Sequence, residues 1–202
     1  MRTGLMDWLS DVVDRIGMRL SKNIIIDGIW IGVVFENDIS LLDRAREAIS
    51  FIETYDPVTY THLQRNIDRI WITLEPHGIG KYIHRRRLIV LDARYVREAD
   101  TEVIASLVVH EATHARLIQF GYDESIRARI ERCCIRREVA FARRYSWGEP
   151  VVRWALERHD QSDNVWLDDQ RAQRWRAGES AVARELGIIP GWLVHVAHRA
   201  RS

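Results

Sequence analysis

A chain of 202 residues, 47% hydrophobic and 29% charged, has the make-up of an ordinary globular protein, with room for one domain and an appendage. A formal net charge of +1 excludes a global field that would draw the chain to nucleic acid, although Lys22 and Lys81 are the only lysines and arginine supplies the other cations. The two cysteines, Cys133 and Cys134, are adjacent, which argues against a disulfide scaffold and for a reducing, cytoplasmic setting.

Residues 1–22 predict an N-terminal amphipathic helix, with Leu5, Leu9, Val12, Val13, Ile16 and Leu20 at helical spacing. Asp7, Asp11 and Asp14 interrupt the segment, so no secretory leader is expected. Ile24 to Phe35 reads as strand around the turn pair Asp27-Gly28, and at 12 residues it is too short to cross a bilayer. A helix over Ser40 to Thr54 follows, with Leu41, Leu42, Ala45, Ala48, Ile49 and Ile52 on its apolar side. Asp56-Pro57 then opens another, with Asp as cap and Pro at the first helical position, ending near Asn66.

Arg69 to Leu74 predicts a strand that Glu75-Pro76-His77-Gly78 stops. Lys81 to His84 and Leu88 to Leu91 predict one or two more. Arg85-Arg86-Arg87 between them reads as a solvated turn or edge. Thr101 to Gln119 predicts a helix capped by Asp100 or Thr101, with Ile104, Leu107, Val108, Ala115 and Ile118 as its apolar face. After a break at Phe120 to Asp123, a second long helix is expected from Ser125 to Tyr145, ended by Trp147-Gly148-Glu149-Pro150. Residues 150–202 predict a helical extension, with helices near Val151 to Arg158 and Asp168 to Leu186 and a Trp192 to Val196 segment packing back. Strands first and then two long helices is an α+β order, within a single domain over 1–202.

The chemistry is concentrated in His110-Glu111-Ala112-Thr113-His114. On a helix, residues four apart share a face, so His110 and His114 can grip one metal ion while Glu111 reaches a water beside it. A catalytic zinc site takes three protein ligands and an open position. Folding the two long helices into an antiparallel hairpin at Gly121-Tyr122 sets His110 opposite about residue 133 and His114 opposite about residue 129, with Glu131 between them. Glu131 is therefore the first choice of third ligand. Glu138 is the alternative, but it falls about 10 Å along the helix and suits a supporting role better. Cys134 also points that way, as a ligand or as a small residue packed between helices.

His110-Glu111-x-x-His114 followed by Glu131 on the next helix resembles the gluzincin metallopeptidases, and among them the small, minigluzincin-like members. The resemblance covers roughly residues 67–145, the metal-site core. It implies a zincin-like α+β fold in which a small mixed β-sheet packs on the motif helix, with an antiparallel second long helix beside it. It also implies one Zn²⁺ ion held by His110, His114 and Glu131, with Glu111 as catalytic general base and a peptide or protein as substrate. The edge strand that aligns an extended peptide in such proteins would correspond to Leu88-Ile89-Val90-Leu91. The chain departs from the larger gluzincins in Arg116, in a shorter gap between His114 and Glu131, and in Ile135, which stands where they carry a supporting aspartate. Tyr122, Tyr145, His159 and His195 are the candidates for stabilising an oxyanion. The rival expectation is a non-catalytic zinc-binding regulatory or structural domain. The arginines of the second helix (Arg127, Arg129, Arg132, Arg136, Arg137, Arg143, Arg144) would then face an acidic partner or nucleic acid, unless they are simply its solvated side. No transmembrane segment and no specific nucleic-acid signal are expected.

Overall fold

A computed structural model describes residues 14–34, 39–75, 78–117 and 124–159. The first turns of the expected N-terminal helix, the helix from Asp168 to Leu186 and the Trp192 to Val196 segment lie outside them. Residues 14–20 are helical. Five strands then build one mixed sheet: β1 (Lys22–Ile26), β2 (Ile29–Val33), β3 (Arg69–Thr73), β4 (Gly80–Ile83) and β5 (Leu88–Asp92), in the order β1-β2-β3-β5-β4.

The β1–β2 hairpin forms because Asp27 (φ 47°) and Gly28 (φ 85°) both take left-handed backbone, as a tight hairpin turn requires. β2 and β3 are parallel, so the chain between them must cross over. It does so through α1 (Ser40–Tyr55) and α2 (Pro57–Asn66). All six apolar positions expected along α1 are buried. Asp56 caps α2 by accepting the Thr59 N–H, with Pro57 opening the helix.

The strand Leu88 to Leu91, expected at the sheet edge, is instead interior. β5 pairs with β3 on one side and β4 on the other, and all five of its residues are buried. An unbroken apolar run without polar alternation is suited to burial on both faces. β4, with Lys81 and every residue half-buried, takes the edge.

Asp92 ends β5 and at once caps α3 (Ala93–Glu98), accepting the N–H groups of Arg94 and Tyr95. This short helix was not foreseen, although an Asp directly after a strand is a signal for it. α4 (Thr101–Leu117), α5 (Glu124–Ala142) and α6 (Glu149–His159) follow. α5 ends earlier than Tyr145 because its last turn tightens, with the Arg144 N–H donating to Phe141 O.

One face of the sheet carries the main core. Ile29, Ile31, Ile70, Ile72, Ile89 and Leu91 meet apolar residues of α1, α2, α4 and α5 there. The other face has a smaller cluster of Trp71, Leu88 and Val90, covered by Met18 from the helical residues 14–20. Among the described residues no helix is long and apolar enough to cross a membrane.

Candidate metal centre

α4 is buried from Ile104 without a break through Ala112, and that run includes His110 and Glu111. Such a helix lies inside the body rather than on it. His110 and His114 are one turn apart with ring centroids separated by 5.1 Å. α4 and α5 run antiparallel, as their contacts show: Ser106 meets Glu138, His110 meets both Glu138 and Glu131, and His114 meets Glu131.

Glu131 Oε2 lies 3.5 Å from Nε2 of His110 and 3.5 Å from Nε2 of His114. Ligands about 2.0–2.2 Å from a tetrahedral zinc stand about 3.3–3.6 Å apart, so Glu131 has the spacing to each histidine that two ligands of one ion would show. Cys134, fully buried one turn on from Glu131, also belongs to the cluster. Donor atoms of His110, His114 and Cys134 all lie within 4.8 Å of one another, and this group could hold a metal ion.

Glu138 is placed differently from Glu131. It is completely buried, its Oε2 is 3.1 Å from Nδ1 of His110, and its Oε1 accepts the Ser106 hydroxyl at 3.0 Å. With Nδ1–H donated to Glu138, it is Nε2 of His110 that faces Glu131, the atom whose lone pair a metal would take once the ring is neutral. Glu138 thus supports a histidine. Ser106 was not singled out beforehand; its only signal was a hydroxyl inside an apolar helical run, one turn before His110.

The electrostatics follow from burying these groups together. Desolvation alone would lower the His110 pKa, but the carboxylates of Glu131 and Glu138 outweigh it and push it up to about 10. Burial likewise opposes charge on Glu131, yet its bonds to His110 and His114 hold its carboxyl far below the usual range. Burial raises Glu111, although the nearby histidines work against the shift. Cys134 is raised steeply, first by burial and then by the carboxylates of Glu131 and Glu111, and so is kept as a thiol. The cluster therefore sets three buried carboxylates against two imidazoles, a donor set suited to a divalent cation.

Other expected contributors lie elsewhere. Tyr145 is buried in an aromatic cluster with Phe51, Tyr55, Phe141 and Trp147. Tyr122 and His195 are outside the described residues, and His159 ends α6. Ile135 is core. Two arginines from this stretch find their acidic partner inside the chain: Arg137 of α5 bonds Asp56 at 2.5 Å and also Thr59, while Arg144, just past the helix, places Nε 3.6 Å from Asp56.

No protein-family model matches this chain, and no curated protein or solved structure does either.

Proposed function

We propose that the chain is a zinc-dependent metallopeptidase of the gluzincin type, with a zincin-like arrangement of sheet and helices. The observation that carries this reading is the position of Glu131 Oε2, 3.5 Å from Nε2 of both motif histidines. Further support comes from Glu111, buried beside them, and from β4, an edge strand lying next to α4. An extended peptide can add to the open side of such an edge through main-chain hydrogen bonds.

His110, His114 and Glu131 would hold the ion, with Glu138 fixing the His110 ring. Zinc, when bound, supplies the Lewis acid that acidifies water and polarises a peptide carbonyl. Glu111 accepts the proton from the attacking water and returns it to the amine nitrogen as the carbon–nitrogen bond breaks. Its burial favours the first of these transfers, because an apolar setting makes a carboxylate a better base. Glu111→Gln keeps the shape and removes the base. We expect it to retain parent zinc content and to cut a peptide library about 10²–10⁴-fold more slowly. Zinc-loaded Glu111→Gln cleaving at the parent rate would rule the mechanism out.

A second reading, a non-catalytic zinc domain, has its own observation: Cys134 lies in the same donor cluster. As a thiolate it would add a fourth protein ligand and close the shell. Burial and the surrounding carboxylates raise the Cys134 thiol in the metal-free protein, and a bound ion would have to displace its proton to recruit it. Cobalt-loaded protein separates the two. Under the peptidase reading it shows no thiolate charge-transfer band, and Cys134→Ser leaves its spectrum unchanged.

A further inference from the structure

The sheet face opposite α4 carries a cavity of about 480 Å³ that the metal chemistry does not use. Its walls are Arg15, Met18 and Arg19 from the helical residues 14–20, Trp30 from β2 and Arg69 from β3. Arg15, Met18 and Arg19 stand at i, i+3 and i+4, so they share one helix face. Trp30 and Arg69 are register partners across the parallel β2–β3 ladder, which puts their side chains next to each other on one side of the sheet. The alternating residues Ile29, Ile31, Ile70 and Ile72 turn the other way, into the main core.

The indole of Trp30 has a fixed seat. It lies over Gly32, where a Cβ would come within 2.1 Å of the ring, so only glycine lets the indole rest along the strand. The result is an aromatic platform backed by the sheet. Two described acids adjoining these elements are committed elsewhere: Asp14 pairs with Arg86 and Asp68 with Arg87, each at 2.9 Å. No described carboxylate pairs with Arg15, Arg19 or Arg69. Three guanidinium groups around one cavity repel each other, and a multivalent anion relieves that repulsion. Planar guanidinium forks match phosphate oxygens, and an indole face accepts a stacked planar base. The volume is within the roughly 300–1,000 Å³ range of small-ligand pockets.

We propose that this cavity binds a nucleoside phosphate, with the base stacked on Trp30 and the phosphate held by Arg15, Arg19 and Arg69. The site is independent of the metal centre and stands whether or not the chain hydrolyses peptides.

Titration calorimetry on the full chain tests it, with AMP, adenosine, inorganic phosphate and a ten-residue oligothymidylate as probes. AMP should bind saturably at one site, and adenosine or phosphate alone at least about tenfold more weakly. Affinity should fall with added salt. Arg69→Glu, and separately the exposed pair Arg15→Glu/Arg19→Glu, should each weaken AMP binding by at least about tenfold, and Trp30→Leu by a similar factor. Helical circular dichroism and metal content report folding, and either arginine variant suffices if the other fails to fold. Absence of AMP binding, or AMP binding that survives both arginine variants, overturns the proposal. So does phosphate binding as tightly as AMP, and so does an oligonucleotide that binds where AMP does not.

Discussion

Two kinds of buried carboxylate stand side by side in this molecule. Asp56 and Asp92 are met by permanent donors. Asp56 accepts the N–H and hydroxyl of Thr59 and the guanidinium of Arg137. Asp92 accepts the N–H groups of Glu75, Arg94 and Tyr95 and the Arg94 guanidinium. These acids tie α2 to α5 and β5 to α3. Glu131 instead faces two imidazole nitrogens, groups that either donate a proton or offer a lone pair. A permanent donor set makes a structural tie. A switchable one leaves room for a proton or a metal ion, and that difference is the physical signature of a site.

The comparison breaks most sharply at Glu131. Glu131→Ala removes a proposed ligand and should weaken zinc binding by more than about 100-fold. Glu138→Ala, which loses only the support of His110, should weaken it by about 10–100-fold. Metal content after dialysis against graded chelator ranks the two. The reverse order would make Glu138 the ligand.

At the structural tie the expected loss is one of stability. Asp56→Ala leaves Arg137 and the first turn of α2 without their acceptor and should cost about 3 kcal/mol, the low end for a broken buried pair because Arg137 is partly solvated. Urea unfolding at neutral pH measures it. Zinc content should stay at the parent level, and a loss of zinc would show that the two clusters are coupled.

The smallest effect is one of pH. Burial alone would raise the Asp92 pKa, but the bonds from Arg94 and from the Glu75 and Tyr95 backbones outweigh it and lower it. A folded-state pKa below the unfolded one stabilises the fold above about pH 3.9, and that contribution fades as pH falls through the folded value. Parent and Asp92→Asn should therefore differ in melting temperature at neutral pH and converge in acid. A gap that does not narrow as the pH falls would contradict the assignment.

Much of the fold was readable locally. The Asp27-Gly28 turn, the apolar face of α1 and the Asp56-Pro57 start of α2 each depend on residues within a few positions of one another. The antiparallel meeting of α4 and α5 was also readable, because a short break between two helices leaves little other geometry. Strand order was not. Whether Leu88–Asp92 lies at an edge or inside depends on which strands close around it, and no local pattern states that. The arginines of α5 read as a charged face, yet Arg137 is drawn inward by Asp56, a partner 81 residues away in the chain.

The sequence by itself determined that His110 and His114 share a helix face with Glu111 beside them, because helical periodicity is set by the backbone alone. Only the tertiary structure decided that Glu131 turns to Nε2 while Glu138 turns to Nδ1, and that Arg15, Arg19 and Arg69 line one cavity with Trp30. Those placements depend on how helices and strands slide and rotate against one another. Burial of the whole core, summed over many distant contacts, sets that register.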